Sequence, residues 1–270
     1  MNYRIPVGVF DSGVGGLTVA QEIFQQVPEA TIIYFGDTAH VPYGPRSKEE
    51  LIGFADKICQ YLIEQGAQVI VDACNSTSAV ALEFLKEKYH DVPIIGVIDP
   101  GVETALKRTR KKRVGVIATE ATINSDAHKK AMGLVAPDVL VAGQSCPMFV
   151  PLVEGGQVDS PAALEAAEKY LAPLMALGID TLILGCTHYP FLAPVLKKVL
   201  GDEVKLVDPA RETVRRLKEI VAAISRQEKR SGEHQYVVSG DPEVFQQVGN
   251  RLMNDYRIPG VEKVELDWGD

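Results

Sequence analysis

The sequence is short of the features that mark several classes of protein. Four cysteines in 270 residues are too few for a disulfide scaffold. Basic residues are not in excess, since 28 Lys and Arg against 36 Asp and Glu give a net charge of −8. The positive field that non-specific binding to nucleic acids or anionic membranes needs is therefore missing. No apolar run approaches the roughly 18 residues of a membrane span, and the first residues do not resemble a secretory leader. We expect a cytoplasmic protein with reduced thiols and with neither a nucleic-acid nor a membrane partner.

Metal and phosphate motifs are missing too. No Cys-x-x-Cys pair occurs, and among the five histidines only His188 lies near a cysteine, so we expect no metal site. The glycine-rich segment 11–17 lacks the third glycine of a dinucleotide fingerprint, because Thr18 stands there, and it lacks the lysine of a P-loop. Two interpretations stay open for it: a turn whose N–H groups hold a carboxylate, or a tight turn that needs glycine for positive φ.

What the sequence does contain is a regular alternation of short apolar runs and longer amphipathic ones. The amphipathic segment after residue 50 has apolar residues at steps of three and four (Leu51, Ala55, Ile58 and Leu62), as the buried face of a helix requires. The short runs are rich in β-branched residues and predict buried strands at 7–10, 31–35, 69–71, 94–97, 114–117, 182–184 and 205–207. This alternation predicts an α/β fold with mostly parallel sheets flanked by helices.

An internal repeat divides the chain. A predicted helix ends at Gly66 and Cys74 follows eight residues later, and the same spacing joins Gly178 to Cys186. Residues 7–12 resemble residues 114–119 at a similar offset. The repeat predicts two pseudo-symmetric lobes, each with a cysteine at the end of a strand. Because ligands of parallel sheets bind at the carboxyl ends of the strands, we expect both thiols to face one cleft.

Proline residues predict where the lobes separate. Boundaries near Asp99-Pro100 and Asp208-Pro209 give a first domain of residues 1–98 with 209–270 and a second of residues 99–208. The tail after Asp208 is expected to pack back on the first domain. Six of the seven residues 107–113 are basic, and two interpretations stay open for them: a solvated helix end before a strand, or a site for an anion or a partner.

The four cysteines fall into two groups. Cys59 lies on the apolar face of its helix and Cys146 in an apolar loop, so both are expected to be structural. Cys74 and Cys186 are each followed by polar residues and a helical segment, and a helix N-terminus lowers the pKa of a thiol from about 8.5. We therefore expect thiolates near neutral pH. A cysteine nucleophile with His188 as its base is an alternative, although it does not explain the duplicated cysteine.

Six motifs, at residues 11–16, 36–39, 42–44, 73–76, 151–154 and 185–190, resemble those of bacterial glutamate racemases, in order and over most of the chain. The resemblance implies two α/β domains with the active site in the cleft between them. It also implies cofactor-independent interconversion of L- and D-glutamate, supply of D-glutamate for peptidoglycan, and a homodimer. Ser76 stands where the family commonly has threonine, which keeps the hydroxyl.

The resemblance assigns roles residue by residue. It makes Cys74 the acid/base group for the D enantiomer and Cys186 that for the L enantiomer. Polar groups that assist the thiols are implied at Asp11, Asp37, Glu154 and His188. Substrate contacts are implied at Asp11, Ser12, Tyr43, Gly44, Asn75, Ser76, Thr187 and His188.

The chemistry of racemisation agrees with a duplicated thiol. A base must face one side of the α-carbon and an acid the other, so one thiol must be ionised while its counterpart is protonated. Hydrogen-bond donors must stabilise the developing carbanion. Alternatives that stay open are a racemase for aspartate or hydantoins, a pyridoxal-phosphate racemase, and a two-lobed binding protein for a small acid.

Overall fold

The computed structural model describes residues 4–224, 233–253 and 256–268. Its strands are β1 (Ile5–Asp11), β2 (Ala30–Gly36), β3 (Val69–Asp72), β4 (Ile94–Ile95), β5 (Arg113–Ala118), β6 (Leu140–Ser145), β7 (Thr181–Gly185), β8 (Lys205–Val207), β9 (Gln235–Val238) and β10 (Glu262–Lys263). Its α-helices are α1 (Leu17–Gln26), α2 (Lys48–Glu64), α3 (Asn75–Val80), α4 (Leu82–Lys88), α5 (Ile98–Arg108), α6 (Glu120–Asn124), α7 (Ala127–Val135), α8 (Phe149–Glu154), α9 (Pro161–Ala176), α10 (Ala193–Leu200), α11 (Ala210–Ala223) and α12 (Pro242–Leu252), with a 3₁₀ turn at Tyr189–Leu192.

The strands form two sheets in which the paired strands run parallel. The larger sheet has the order β10-β9-β2-β1-β3-β4 and the smaller one the order β6-β5-β7-β8. The segment β2-β1-β3-β4 thus has the same order as β6-β5-β7-β8, which is the structural form of the sequence repeat. The predicted α/β class with parallel sheets is confirmed.

Both halves of the repeat use glycine to end the helix that precedes the cysteine-bearing strand. Gly66 after α2 has φ of +92° and Gly178 after α9 has φ of +68°. This left-handed conformation is costly for residues with a Cβ atom, which explains glycine at both positions. The predicted apolar face of α2 is buried, and the helix begins with a capping box between Ser47 and Glu50.

Described elements that follow Pro209 pack in the core of the larger sheet. Val214 and Leu217 of α11 and Tyr236 and Val238 of β9 belong to the same buried cluster as β1 and β2. Within the described ranges, no helix is long and apolar enough to cross a membrane.

One local expectation is wrong. The strand at 94–97 ends at Ile95, because Val97 already caps α5. Pro100, beside the predicted domain boundary, lies in the first turn of α5, where proline is tolerated because the first-turn N–H groups have no partner within the helix. The basic run has the solvated arrangement, since Lys107 and Arg108 end α5, Arg113 begins β5, and all three side chains are exposed.

Three strands were missing from the sequence expectation. β6 is an edge strand that ends in Gly-Gln-Ser, and β9 and β10 are four and two residues long. β6 and β10 are exposed or half-buried along their length and carry little apolar periodicity, whereas β9 is buried over residues 236–238 but is only four residues long. Their pairing depends on the rest of the sheet.

Candidate active site

The two cysteines of the repeat lie at the carboxyl ends of equivalent strands. Cys74 follows β3 and is the N-cap residue of α3, and Cys186 follows β7 directly. Their residues are 4% and 7% exposed, so both thiols are nearly sealed from solvent. The two thiols interact electrostatically, because the charge of Cys186 raises the pKa of Cys74.

Asp11, the last residue of β1, links the segment after β1 to the residue that follows Cys186. Its Oδ1 accepts a hydrogen bond from the Gly13 N–H at 3.0 Å, and its Oδ2 accepts one from Thr187 Oγ1 at 2.9 Å. Burial raises the pKa of Asp11, and the charge of His188 and the hydrogen bonds from Gly13 and Thr187 offset this only in part. A carboxyl from the larger sheet is thus tied to the residue that follows Cys186.

His188 places a basic group beside Cys186. Its Nδ1 lies 3.7 Å from Cys186 Sγ, and its Nε2 lies 2.7 Å from Glu154 Oε1. Burial lowers the pKa of His188, but the interactions with Cys186 and Glu154 outweigh burial and bring it well above 6.5. Burial raises the pKa of Glu154, and the bond to His188 outweighs that effect and leaves it lowered. His188 therefore carries a proton, and a positive charge, next to Cys186.

The surroundings of Cys74 are different. Burial raises the pKa of its thiol, and the nearby carboxyls of Asp11 and Asp72 raise it further. The Thr77 N–H, in the first turn of α3, lowers it by less. The expectation that the helix N-terminus lowers the pKa of this thiol is therefore wrong. The helix is only six residues long, and desolvation and two acidic neighbours outweigh its field.

Asp37 follows β2 and organises a loop of the larger sheet. It accepts hydrogen bonds from Tyr43 Oη at 2.5 Å and Ser239 Oγ at 2.6 Å, and His40 Nδ1 lies 2.8 Å away. Burial and the Asp37 charge hold the pKa of Tyr43 well above 10, so its hydroxyl stays protonated and donates. Tyr43, which Asp37 holds, belongs to the same buried cluster as Cys74.

Polar contacts cross between the two sheets next to Cys74. Ser76 Oγ lies 2.9 Å from Thr119 Oγ1, and the Gly44 carbonyl accepts a hydrogen bond from the Ala121 N–H at 3.1 Å. Asn75 Oδ1 is buried and has no hydrogen-bond partner among the described residues. A buried acceptor without a partner suits a bound hydrogen-bond donor, because leaving the acceptor desolvated and unpaired costs free energy.

The glycine-rich segment allows close contact between the lobes. Gly13 and Gly15 do not have positive φ, so the interpretation as a turn that needs left-handed glycine is wrong. A Cβ atom at Gly13 would overlap Glu154 Oε1, and one at Gly15 would overlap His188 Nδ1 and Thr187 Oγ1. Glycine is required here because the groups around Cys186 pack directly on the backbone after β1.

Ser12, another predicted substrate contact, follows β1 and is 6% exposed.

The other two cysteines are structural, as expected. Cys59 and Cys146 are fully buried in apolar clusters. The 3.7 Å from Cys186 to His188 would also suit a nucleophile and its base, whereas no histidine hydrogen-bonds Cys74 in the described part of the chain.

Sequence reasoning missed several polar residues at the site. Thr119 bonds both Ser76 and, at 3.1 Å, Thr122. The repeat contained a signal for Thr119, because it aligns with Ser12. Ser239 hydrogen-bonds Asp37 from about two hundred residues away, and no local pattern indicates that contact.

Two thiols lie on equivalent strand ends of this α/β protein, one beside acidic side chains and one beside a histidine with a raised pKa, and they form a candidate enzyme site. The model of the Asp/Glu/hydantoin racemase family matches residues 8–217. The chain belongs to this family.

Relatives match almost the whole chain. A glutamate racemase of Geobacter metallireducens is 45% identical over 263 residues, which are 97% of each chain. The crystal structure of a glutamate racemase isoform from Bacillus anthracis superposes with a TM-score of 0.90 at 37% identity and covers 98% of both chains. That of the Francisella tularensis glutamate racemase in complex with D-glutamate has a TM-score of 0.89 at 35% identity and covers 99% of both.

Proposed function

We propose that this racemase interconverts L- and D-glutamate by proton transfer between Cys74, the substrate α-carbon and Cys186. Glutamate racemases that match nearly the whole chain support the substrate. The observation that carries the two-thiol mechanism is the equivalent placement of both cysteines, after β3 and β7, around Asp11. Two lobes related by a repeat present their thiols to one substrate from opposite sides.

The proton balance of a turnover involves both thiols. With D-glutamate bound, the Cys74 thiolate removes the α-proton and becomes a thiol, while the Cys186 thiol donates its proton to the opposite face and becomes a thiolate. L-Glutamate reverses the roles. Protonated His188, 3.7 Å from Cys186 Sγ and hydrogen-bonded to Glu154, compensates the charge on Cys186.

The other polar residues bind substrate and stabilise the carbanion. Asn75 Oδ1 accepts from the substrate ammonium group, and hydroxyl and backbone N–H donors hold the carboxylates and the developing negative charge. These donors come from Ser12, Gly44, Ser76 and Thr187. Asp11 orients Thr187, and Asp37 orients Tyr43.

Solvent deuterium tests the mechanism. In deuterated water, without added cofactor, D-glutamate formed from pure L-glutamate should carry deuterium at the α-carbon, and the reverse reaction should label L-glutamate. The acid that delivers the new hydrogen exchanges with solvent, so mass spectrometry of each product measures the transfer. Unlabelled product contradicts the two-thiol route, and faster turnover of L-aspartate than of L-glutamate contradicts the substrate.

The setting of the enzyme belongs to the same proposal. We place it in the cytoplasm as the source of D-glutamate for peptidoglycan; its four cysteines are free thiols, which fits a reducing compartment.

The enzyme has two domains, formed by residues 1–98 with 209–270 and by residues 99–208. The division of strands between the two sheets supports this proposal. The enzyme acts as a homodimer, and sedimentation velocity distinguishes a dimer from a 29.4 kDa monomer.

A further inference from the structure

A buried acid beside Cys74 has no role in the mechanism above. Asp72 is the last residue of β3, two positions before Cys74, and is fully buried. Its Oδ1 accepts a hydrogen bond from Thr77 Oγ1 at 2.6 Å, and its backbone carbonyl accepts one from Ser78 Oγ at 3.0 Å. Its Oδ2 is buried without a hydrogen-bond partner among the residues that the structure describes. A buried carboxyl with one oxygen unsatisfied is costly and calls for an explanation.

We propose that Asp72 is a positioning residue for Cys74, whose buried carboxyl anchors the turn that carries the thiol and controls how readily the thiol releases its proton. The anchoring follows from Thr77, whose Oγ1 contacts both the Asp72 carboxyl and, at 3.2 Å, the Cys74 carbonyl. One hydroxyl therefore links the end of β3 to the first turn of α3, with Cys74 between them.

The control of the Cys74 proton follows from the burial of Asp72 and the Cys74 thiol in the same region. Burial raises the pKa of Asp72 well above 3.8 and Asp11 adds to this, while Thr77, Ser78 and the Cys74 backbone offset it in part. A charged Asp72 in turn raises the pKa of Cys74. The thiolate form of Cys74 is therefore favoured when Asp72 holds a proton.

The groups that face this pair come from several elements. Asp11 of β1 and Cys186 of the other sheet act on Cys74, and Tyr34 of β2 and Tyr43 are affected by its charge. Cys59 of α2 is affected by Asp72. Asp72 is not one of the residues assigned to substrate binding, so it can be substituted while those residues are kept.

The thiol itself provides a test that needs no turnover. Alkylation by iodoacetamide, followed at the Cys74 and Cys186 peptides by mass spectrometry across pH, measures each thiol separately. Asp72→Asn keeps an oxygen for Thr77 and removes the ionisable group. We expect the midpoint of Cys74 alkylation to fall to lower pH. Below the midpoint, Cys74 alkylation should be about tenfold faster for each pH unit by which that midpoint falls. An unchanged Cys74 midpoint overturns the proposal.

Thr77 gives a second route that spares the carboxyl, and it decides the matter if Asp72→Asn does not fold. Thr77→Val removes the hydroxyl that favours ionised Asp72, so the Cys74 midpoint should move in the same direction, and Thr77→Ser should restore it. A Thr77→Val midpoint equal to that of the wild type, or one that Thr77→Ser fails to restore, contradicts the proposal.

The inference rests on the proposed acid–base role of Cys74, and the two can fail separately. If the wild-type protein does not racemise glutamate, the proposed function fails while the alkylation midpoint still tests Asp72. If it does, the pH profile of kcat/KM should move in Asp72→Asn by the same amount as the midpoint. The change must be equal in both directions, because mirror-image substrates have an equilibrium constant of one.

Discussion

At the scale of single residues, the two thiols occupy equivalent positions in different electrostatic surroundings. Cys74 lies beside the carboxyls of Asp11 and Asp72, whereas Cys186 lies beside protonated His188. A pair of identical thiols in identical surroundings would share one proton affinity. The asymmetry suits a reaction in which one thiol is ionised while its counterpart is protonated.

Removing either thiol should abolish racemisation. In Cys74→Ala and in Cys186→Ala we expect glutamate racemisation, measured by circular dichroism, to fall at least 10²- to 10⁴-fold, about the contribution of a general acid or base. Cys59→Ala is the matched control, because Cys59 lies on the buried face of α2 in an apolar cluster. Substantial activity in either site variant, or equal loss in the control, would refute the assignment.

The His188–Glu154 pair should make stability depend on pH. His188 has a folded pKa above its unfolded value of about 6.5, so its contribution is full below that pH and is lost as the pH rises through the folded pKa. Glu154 has a lowered folded pKa, so its contribution is present above about 4.5 and is lost as the pH falls through the folded pKa.

Glu154→Gln should therefore cost stability in a defined window. We expect urea unfolding to show a loss of about 1–3 kcal/mol between roughly pH 4.5 and 6.5, with a smaller difference from wild type on both sides. Glu165→Gln, at an exposed position of α9, should show no such window. A loss that does not vary with pH would indicate packing and not the ion pair.

At the scale of elements, the segment between β1 and α1 decides how closely the two lobes approach. A Cβ atom at Gly15 would overlap His188 and Thr187, the two residues that follow Cys186. Tyr34 Oη of β2 donates a hydrogen bond to the Gly13 carbonyl at 2.8 Å and so fixes this segment to the larger sheet. The backbone here acts as part of the site wall.

Gly15→Ala should therefore impair the site. We expect a loss of about 1–3 kcal/mol of stability, the usual cost of overpacking, and at least a tenfold loss in kcat/KM, because His188 and Thr187 must move. Gly53→Ala in α2 is the control: a Cβ atom there meets nothing within 4 Å, and the change should stabilise the helix slightly. Wild-type activity in Gly15→Ala would show that the contact is not required.

Elements were predicted unevenly from the sequence. The strands at the centres of the sheets were recovered, because β1, β3, β5 and β7 are buried on both faces and read as continuous apolar runs. β6 was missed because an edge strand with a polar end has no such run. Pro100 lies inside α5, because the first turn of a helix accommodates proline.

At the scale of the whole molecule, polar contacts hold the two sheets together around the site. Thr187 bonds Asp11, Ser76 bonds Thr119, and the Val14 N–H donates to Glu154 at 3.4 Å. Leu252 of α12 packs against the apolar clusters of both sheets. Because the thiols are nearly sealed, a substrate bound between them would contact both lobes.

Glutamate should therefore stabilise the entire fold. In Cys186→Ala, which cannot convert the ligand, we expect D-glutamate at a hundred times its Kd to add about 2.7 kcal/mol, seen as a higher Tm in calorimetry. D-Alanine, which lacks the side-chain carboxylate, is the control and should have a much smaller effect. Two separate transitions, only one of them moved by glutamate, would contradict binding between the lobes.

The sequence by itself determined the α/β class, the repeat and the positions of the two cysteines. These follow from local periodicity and from spacing along the chain, since helices and buried strands impose their own patterns on neighbouring residues. Only the tertiary structure decided the proton affinities and contacts. The raised pKa of Cys74, the cation beside Cys186 and the bond from Ser239 to Asp37 depend on burial and on residues far apart in the chain. Desolvation and charge act through space, and no spacing along a sequence encodes them.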